Sequence, residues 1–425
     1  LTLALLGMLA GILIDSEGWG GKWQRVVVVA LGVSALGWIV GPEALRTDPG
    51  PERNLLVAYV AGAKCDVYAP TQSAKTVLQL VTTLTGLPAS AINVVTTYLG
   101  GGLGRKAEVD FVSQAVQVAM AVKRPVKLMW PREEDFTHDQ YRPMAVVGAR
   151  AGLTVGGAVT GFAYRKVSPS ILGQRGAALG AKGDSQGYEG SNALPYNFGT
   201  RSIEWAQHPS PIPVGFWRSV GASINTFVVE SAIDELAKAA GKDEYQIRRE
   251  LLLRSKAAGS ATAQRFLDVL DAAATLGGWA TAPATGRARG ISMTTCFNSI
   301  VAEVVEVSQP SLGVIKVEKV AVAYDCGPLE VNPNAVEAQL QGGVAYGLTA
   351  ALWSQITWTS GKTDQTNFNK YRMAKNGDMP VVSTTIVTPP AGFAGPTGGV
   401  GEVAVPGVAP AVATAWAKLT GTRIR

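Results

Sequence analysis

The chain has few side chains that bind soft metals or form crosslinks. It contains three cysteines, Cys65, Cys296 and Cys326, with no CxxC pair, and two histidines, His138 and His208. This set excludes an iron–sulfur cluster ligated by the chain alone and argues against a zinc site. It also argues against a disulfide framework.

Charge is sparse as well. Charged residues make up 16% of the 425 residues, and the net charge of +6 is dispersed. The densest basic stretches are only pairs: Arg105-Lys106, Lys123-Arg124 and Arg248-Arg249. Such pairs indicate solvated faces, so no nucleic-acid partner is expected. With 47% hydrophobic residues and 49 glycines, the composition is typical of a large, loop-rich enzyme with two domains or subdomains.

No apolar run reaches the roughly 20 residues that span a bilayer. Residues 1–50 nevertheless contain two apolar runs, 1–14 and 26–40, and the second follows the basic Lys22 and Arg25 and contains Trp38. This arrangement is typical of a signal-anchor segment. We therefore predict a membrane anchor within residues 1–50, and the sequence leaves a buried core helix open as the alternative.

Beyond a Pro- and Gly-rich linker at 41–54, hydrophobic periodicity alternates between strand and helix. The patterns predict strands at 92–98, 125–130, 290–307 and 313–324, helices at 71–84, 107–122, 223–240, 334–352 and 408–419, and a loop region at 164–197. Asp243 is predicted to cap the helix after residue 240. The predicted fold class is α+β, with mixed sheets and packed helices, divided into subdomains at 55–240 and 241–425.

A glycine-rich loop at 98–106, YLGGGLGRK, joins a predicted strand to a predicted helix. Consecutive glycines can turn their backbone N–H groups inward to form an anion-binding nest, and the helix N-terminus adds partial positive charge. A tight strand-to-helix turn explains the same glycines, and both interpretations stay open. The loop matches neither the GxxxxGK[ST] phosphate loop nor the GxGxxG dinucleotide pattern.

Two charged residues stand alone in small or aromatic surroundings. Arg218 lies between Trp217 and Ser219 just before a predicted helix. There it suits recognition of a phosphate or oxyanion, or alternatively stacks on Trp217 or caps carbonyl groups. Glu402 follows GGVG and precedes an apolar run. A carboxylate in an apolar pocket has a raised pKa that suits proton transfer, although a glutamate beside glycine is more often a turn residue.

Several stretches together resemble the large molybdopterin-binding subunit of the xanthine dehydrogenase and aldehyde oxidase family. The branch that they resemble most is that of isoquinoline 1-oxidoreductase and membrane-bound aldehyde dehydrogenase. In the family's order they are APTQSAKTVLQLV from Ala69, YLGGGLGRKAEVDF from Tyr98, DQYRP from Asp139, FWRSVGASINTFVVESAIDELA from Phe216, DCGPLEVNPNAVEAQLQGGVAYGL from Asp325, QTNFNKY from Gln365 and GGVGEVAVPGVAPAVATA from Gly398.

The resemblance implies a molybdenum hydroxylase. Glu402 falls at the position of the family's active-site base, which deprotonates a hydroxyl on molybdenum, so that the oxygen in the product derives from water. Gln72 matches a glutamine that hydrogen-bonds a molybdenum oxo group, and Arg218 matches an arginine beside the cofactor and the substrate. The implied cofactor-binding residues are Gly100, Gly101, Gly102, Leu103, Gly104, Arg105, Trp217, Arg218, Ser219, Gly399 and Gly401. None of them ligates the metal, which the pterin dithiolene holds.

The cofactor implied by the resemblance is molybdopterin, with the cytosine dinucleotide form left open. The implied substrate is an aldehyde or an N-heterocycle. Electrons are expected to pass to a [2Fe-2S] partner subunit and onward to a membrane cytochrome c subunit. An anchor within residues 1–50 would place the chain at the periplasmic face of the inner membrane, and a cytoplasmic location stays open.

The resemblance covers residues 60–425 and only the second half of the family sequence. The family's first half, including a GQG stretch, has no counterpart in this sequence. Two interpretations follow. Either a partner chain supplies the missing half, or the chain is a truncated, non-catalytic homologue that acts as a structural partner subunit.

Overall fold

The computed structural model describes residues 24–28, 56–330 and 332–424, and it confirms the predicted mixed α+β class. The strands are β1 (Gln24–Val28), β2 (Leu56–Ala61), β3 (Lys64–Ala69), β4 (Ile92–Thr96), β5 (Val126–Leu128), β6 (Val146–Leu153), β7 (Val159–Ser168), β8 (Thr200–Gln207), β9 (Arg287–Cys296), β10 (Ser299–Ser311), β11 (Val314–Asp325), β12 (Trp358–Thr359), β13 (Lys362–Thr363) and β14 (Val381–Ile386). The helices are α1 (Ala74–Thr85), α2 (Asp110–Val122), α3 (Arg132–Thr137), α4 (Ile171–Gln174), α5 (Ser185–Tyr188), α6 (Ala222–Ala240), α7 (Glu244–Ala257), α8 (Ala263–Leu276), α9 (Pro333–Leu352) and α10 (Val408–Thr420).

The first sheet has the order β4-β3-β2-β5, and α1 and α2 pack on it. Val77 and Val81 of α1 are buried four residues apart, as are Val112 and Val116 of α2, so each helix turns an apolar stripe to the sheet. Strand β4 ends at Thr96, two residues before the predicted end, and the glycine loop follows directly. This sheet therefore places the loop after its outer strand β4.

The second sheet has the order β1-β6-β7-β8. The loop region predicted at 164–197 is wrong at its start, because β7 continues through residue 168 as the partner of both β6 and β8. The short helices α4 and α5 also lie within it. Burial alternates along the end of β7, but the buried positions there are Tyr164, Lys166 and Ser168, so hydrophobic alternation could not indicate this part of the strand.

The predicted membrane segment at 26–40 falls mostly outside the described residues. Its first three residues belong to β1, whose backbone pairs with β6 in antiparallel register. In the parts of the chain that the structure describes, no helix combines the length and the hydropathy needed to cross a bilayer.

The third sheet has the order β14-β11-β10-β9 and is covered by α8 and α10. The single strand predicted at 290–307 is wrong: the chain reverses at Phe297 and Asn298, which have φ values of 50° and 64°, and forms the hairpin β9–β10. A two-residue hairpin needs this left-handed backbone, which asparagine tolerates better than most residues. The predicted helices at 223–240, 334–352 and 408–419 are confirmed within one residue at each end.

A buried ion-pair cluster joins α6, α7 and β9. Nε of Arg248 donates to Glu230 at 2.8 Å and Nη1 donates to Asp234 at 2.7 Å, and the three side chains are at most 2% exposed. Glu230 also accepts from the backbone N–H of Met293 and the hydroxyl of Tyr196. The predicted cap is confirmed as well, since Asp243 accepts from two backbone N–H groups at the start of α7. This cluster lies within the largest apolar core.

The predicted division into 55–240 and 241–425 stays a prediction. The largest core cluster contains Ile233 and Leu236 of α6 together with Leu251 of α7 and Val304 of β10. Side chains from both sides of the predicted boundary thus share one apolar interior.

Close packing of β9 against α10 leads to a stability prediction. A Cβ on Gly290 would overlap the carbonyl oxygen of Ala411, whereas a Cβ on Gly148 of β6 would have no atom within 4 Å. We expect Gly290→Ala to lower the free energy of unfolding by about 1–3 kcal/mol, because the helix must move off the sheet. Urea denaturation measures the change, and Gly148→Ala is the matched control. Equal stability of the two variants would contradict the close β9–α10 contact.

Candidate active site

The three stretches that carry the predicted site meet in the fold. Leu103 of the glycine loop packs with Trp217, Tyr346 of α9 and Val405 in one apolar cluster. The rings of Trp217 and Tyr346 lie 4.7 Å apart between centroids. Residues separated by more than 300 positions therefore share one site, as the sequence predicts.

The glycine loop needs its glycines for two close approaches. Gly104 has a φ of 105°, and a Cβ there would overlap the carbonyl group of Phe216. A Cβ on Gly102 would lie 2.5 Å from Oε1 of Gln72. That oxygen accepts a hydrogen bond from the backbone N–H of Gly104 at 3.0 Å, so Gln72 holds the loop in place. The amide NH₂ of Gln72, which is exposed, stays available as a donor. Gly100 and Gly101 are exposed and have φ values of 65° and 115°.

The two cations at the end of the loop, Arg105 and Lys106, are buried and point away from its exposed face. Arg105 is 3% exposed and pairs with Asp110 and Asp139, and Lys106 donates to the carbonyl oxygen of Leu99. Salt bridges to the buried Asp139 and the partly buried Asp110 explain the position of Arg105, which connects the loop to α2 and to the segment before β6. The cofactor contact predicted for Arg105 stays a prediction.

Arg218 connects its own segment to the stretch that carries Glu402 and to α9. Its Nε donates to the carbonyl oxygen of Gly401 at 2.7 Å, Nη1 donates to that of Gly342 at 3.2 Å, and Nη2 reaches Gln339. The guanidinium lies 5.4 Å from the ring centroid of Tyr346 and is 6% exposed. Among the roles that the sequence left open for Arg218, these contacts correspond to the capping of carbonyl groups. Arg218 thereby fixes the backbone directly before Glu402.

Glu402 is half-buried and held by Ser219. The backbone N–H of Ser219 donates to Oε2 at 3.1 Å, and the Ser219 hydroxyl donates to the Glu402 carbonyl oxygen at 2.5 Å. Ser219 and Val220 have φ values of 72° and 45°. Left-handed backbone at a β-branched residue is strained, by about 1–3 kcal/mol, and such strain is concentrated at functional sites. Here it aims the Ser219 N–H at the carboxylate.

Burial raises the pKa of Glu402 above its ordinary value, and the Ser219 hydrogen bond and the Arg218 charge oppose that shift in part. A second carboxylate, Glu189, accepts from the N–H of Gly221 at 3.2 Å, and burial together with the charge of Glu402 raises its pKa too. Nearby Cys296 has a raised pKa through burial and these two acids, which keeps its thiol neutral. The site thus favours proton-accepting carboxylates.

Sequence reasoning did not identify Glu189 or Tyr346. Glu189 lies in the glycine- and serine-rich region, where no pattern distinguishes it from a surface acid. Tyr346 lies in the predicted helix 334–352 and is 1% exposed. Hydrophobic periodicity could have indicated that this side chain is buried, but not that it lies at the site.

The last two predicted glycines differ in environment. The N–H of Gly399 donates to the carbonyl oxygen of Phe297 at 2.8 Å, while the residue itself is exposed. Gly401 presents its carbonyl oxygen to Arg218, and a Cβ there would lie 3.6 Å from Oε1 of Gln339. The glycines that precede Glu402 therefore leave this face of the site low and accessible to a large ligand.

The residues present fit a molybdopterin. Exposed backbone at Gly100, Gly101 and Gly399 and the free amide of Gln72 offer donors and acceptors to a polar ring system beside a half-buried acid. Within the described residues, no three His, Cys, Asp or Glu side chains are grouped so as to hold a metal ion.

Comparison with known sequences points the same way. Residues 52–252 and 216–380 match two family models that are both described as molybdopterin cofactor-binding domains. The chain is 24% identical to the beta subunit of isoquinoline 1-oxidoreductase from Brevundimonas diminuta over 80% of its length and 43% of the relative's. It is 24% identical to the membrane-bound aldehyde dehydrogenase (pyrroloquinoline-quinone) of Gluconacetobacter polyoxogenes, with 87% and 50% covered. It is 25% identical to a nicotinate dehydrogenase chain of Pseudomonas putida, with 90% and 33% covered.

The chain spans half or less of the length of these curated relatives. Among solved structures, quinoline 2-oxidoreductase of Pseudomonas putida 86 aligns with a TM-score of 0.74 at 14% identity, over 94% of this chain and 73% of that one. Aldehyde oxidoreductase of Desulfovibrio gigas aligns with a TM-score of 0.74 at 14% identity, over 95% and 59%. The chain has this fold, and it belongs to the molybdopterin cofactor-binding family of the xanthine dehydrogenase and aldehyde oxidase type.

Proposed function

We propose that the chain is the catalytic part of a molybdenum hydroxylase that oxidises an aldehyde or hydroxylates an N-heterocycle. The observation that carries the proposal is the half-buried carboxylate of Glu402, fixed by Ser219 and Arg218 beside an exposed glycine loop. The relatives, which include an isoquinoline, a nicotinate and an aldehyde enzyme, support this substrate class.

Glu402 is proposed as the general base. An aldehyde plus water gives a carboxylic acid, two protons and two electrons, so water must lose a proton as its oxygen attacks the carbon. A carboxylate with a raised pKa accepts that proton more readily than an ordinary glutamate. The Ser219 N–H and the Arg218 charge both lower the pKa of Glu402 and so favour the ionised carboxylate.

The remaining residues are proposed to hold and orient the cofactor. Gln72 offers its amide NH₂ to an oxo acceptor, while its oxygen keeps the glycine loop in place. Backbone groups of Gly100, Gly101 and Gly399 face the space where the pterin would lie. When bound, the cofactor supplies the metal and the two-electron oxidation.

The partners and the location of the protein are proposed from its sequence. A [2Fe-2S] subunit accepts the electrons, and a membrane cytochrome c subunit takes them further. Because the exposed glycines leave the site open, further polypeptide closes it, whether in a partner chain or in the same protein. The apolar residues 26–40 support a location at the periplasmic face of the inner membrane.

Metal analysis tests this function. We expect the chain, purified with its co-purifying chains, to carry about one molybdenum per chain and to reduce an artificial dye with an aldehyde or an N-heterocycle. A complex without molybdenum would instead support the non-catalytic structural role.

The pH profile of kcat/KM provides a sharper test of Glu402. The base works only when ionised, so we expect the rate to fall as the pH drops through a pKa above the ordinary value of 4.5. Since the Arg218 charge lowers this pKa, Arg218→Gln should move the acidic limb to higher pH, whereas Arg218→Lys should move it less. An acidic limb that stays in place in Arg218→Gln would contradict this electrostatic role.

A further inference from the structure

A cleft lies beside the segment in which Ser219 holds Glu402, and Trp217, Val220 and Gly221 of that segment form part of its wall. The function proposed above uses none of its charged residues. Those residues are Arg142, Lys166 and Asp184.

Arg142 is a buried cation that forms no salt bridge with any residue that the structure describes. It is 9% exposed, and its guanidinium carbon lies 4.3 Å from the ring centroid of Trp217. Nη2 donates to the hydroxyl of Ser223 at 3.1 Å, and Nε has no hydrogen-bond partner within the described residues. No carboxylate in that part of the chain forms a salt bridge with it, and burial lowers its pKa to about 10. A buried guanidinium donor without a partner is unfavourable, and a ligand that accepts a hydrogen bond from it removes that cost.

Lys166 of β7 is a second buried cation in the same wall. It is 2% exposed, and Nζ donates to Oδ1 of Asn225 at 3.0 Å. The same oxygen accepts from the hydroxyl of Tyr164 at 2.7 Å. Burial, with a smaller contribution from the Arg142 charge, lowers the pKa of Lys166 to about 7. The two cations therefore destabilise each other across the cleft.

Asp184 is the one carboxylate among the described residues of the cleft wall, and its hydrogen-bonding capacity is largely used. Oδ2 accepts from the hydroxyl of Ser170 at 2.7 Å and from the N–H of Leu172 at 3.0 Å, and Oδ1 accepts from the N–H of Gln186 at 2.9 Å. These bonds hold Asp184 to its own loop. With Arg142 and Lys166 both charged, the wall has one excess positive charge.

We infer that the cleft binds one compact oxoanion, a carboxylate, phosphate or sulfate group, between Arg142 and Lys166. The guanidinium offers its free Nε–H, and the ammonium offers its remaining protons. Ser168, also in the wall, accepts from Nε1 of Trp205 and so keeps its own proton to donate. The inference does not depend on the proposed oxidation, because it needs neither molybdenum nor turnover.

Thermal unfolding of the full 425-residue chain tests the site. At matched ionic strength, sodium sulfate should raise Tm in a saturable way relative to sodium chloride. The apparent affinity for sulfate should be at least tenfold weaker in Lys166→Met and in Arg142→Gln, and unchanged in Lys182→Met, which removes an exposed lysine of the neighbouring loop. Lys166→Met keeps the stem and leaves Asn225 bonded to Tyr164, so it should fold.

Sulfate also stabilises proteins by exclusion from their surfaces, an effect that does not saturate and that the variants share. A sulfate response that is unsaturable, or equal in wild type and both cleft variants, would overturn the site. Sulfate affinity should also fall between pH 6 and 8 as Lys166 loses its proton, with Arg142 and Asp184 as the charged groups that face it. Lys166→Met should lose this pH dependence.

Two sources can supply the anion, the acid group of an organic substrate or a free inorganic ion. Competition against sulfate separates them, with benzoate and its uncharged analogue benzamide as probes. Binding of benzoate at least tenfold tighter than that of sulfate would indicate an organic acid, and equal or weaker binding would indicate an inorganic ion. Displacement by benzamide as effective as by benzoate would contradict recognition of an anion.

Discussion

Glu402→Gln is expected to keep the cofactor and to lose turnover by about 10²–10⁴-fold, the usual contribution of a positioned general base. Glutamine has nearly the same shape and can still accept from the Ser219 N–H, so the backbone around Gly401 and its bond to Arg218 should persist. Only the capacity to take up a proton is removed. Molybdenum per chain and the rate of dye reduction measure the two quantities separately.

Glu337→Gln is the matched control for this variant. Glu337 is an exposed acid of α9, near the site in sequence, and its carboxylate accepts from the side chain of Gln341 on the same helix. Its replacement should change neither the molybdenum content nor the rate. Turnover within a factor of ten of wild type in Glu402→Gln, at full molybdenum content, would refute the role of Glu402 as base.

Arg248→Met is expected to lower the free energy of unfolding by about 3–5 kcal/mol, because it removes the cation shared by buried Glu230 and Asp234 and leaves Asp234 only the longer contact with Arg423, at 3.9 Å. Glu230 is already pushed toward the protonated form by burial, and the Arg248 charge is the largest influence that opposes this shift. Without Arg248, Glu230 and Asp234 would repel each other inside the largest core. Urea denaturation of the full chain measures the loss.

Arg249→Met is the control, on the same helix and one position away. Arg249 pairs with Asp271 at 3.3 Å, but the two side chains are 42% and 39% exposed. A pair so open to water contributes about 0–1 kcal/mol. Comparable losses in both variants would show that burial does not set the cost and would contradict the proposed structural role of Arg248.

The glycine loop, Arg218 and Glu402 could be proposed from the sequence because their proposed roles depend on residue type within a short stretch, and the structure brings the three stretches together. A lone acid after GGVG and an arginine after Phe-Trp can be recognised in the sequence without coordinates. The helices predicted at 223–240, 334–352 and 408–419 were right within one residue at each end, whereas those predicted at 71–84 and 107–122 begin three residues later than predicted, at Ala74 and Asp110. The reversal at Phe297 and Asn298 was missed because both flanking strands are buried and read as one apolar run.

The direction in which a charged side chain points could not be read from the sequence. Arg105 follows the loop as a cofactor contact would, yet Asp139 lies 34 positions away and binds it from the other side. Glu189 lies in a segment without hydrophobic periodicity. It comes near Glu402 because its carboxylate accepts from the N–H of Gly221, at the start of α6. Such placements depend on contacts between elements, and periodicity within one element contains no information on them.

By itself, the sequence determined the family, the fold class and which residue types carry the proposed chemistry, because those are written in local motifs. Only the tertiary structure decided that Arg218 caps backbone carbonyls, that Ser219 holds Glu402, and that Arg142 and Lys166 share a cleft without a salt bridge between the described residues. The physical reason is that burial and pairing set the pKa and the free hydrogen-bonding capacity of a side chain, and both are properties of the packed chain.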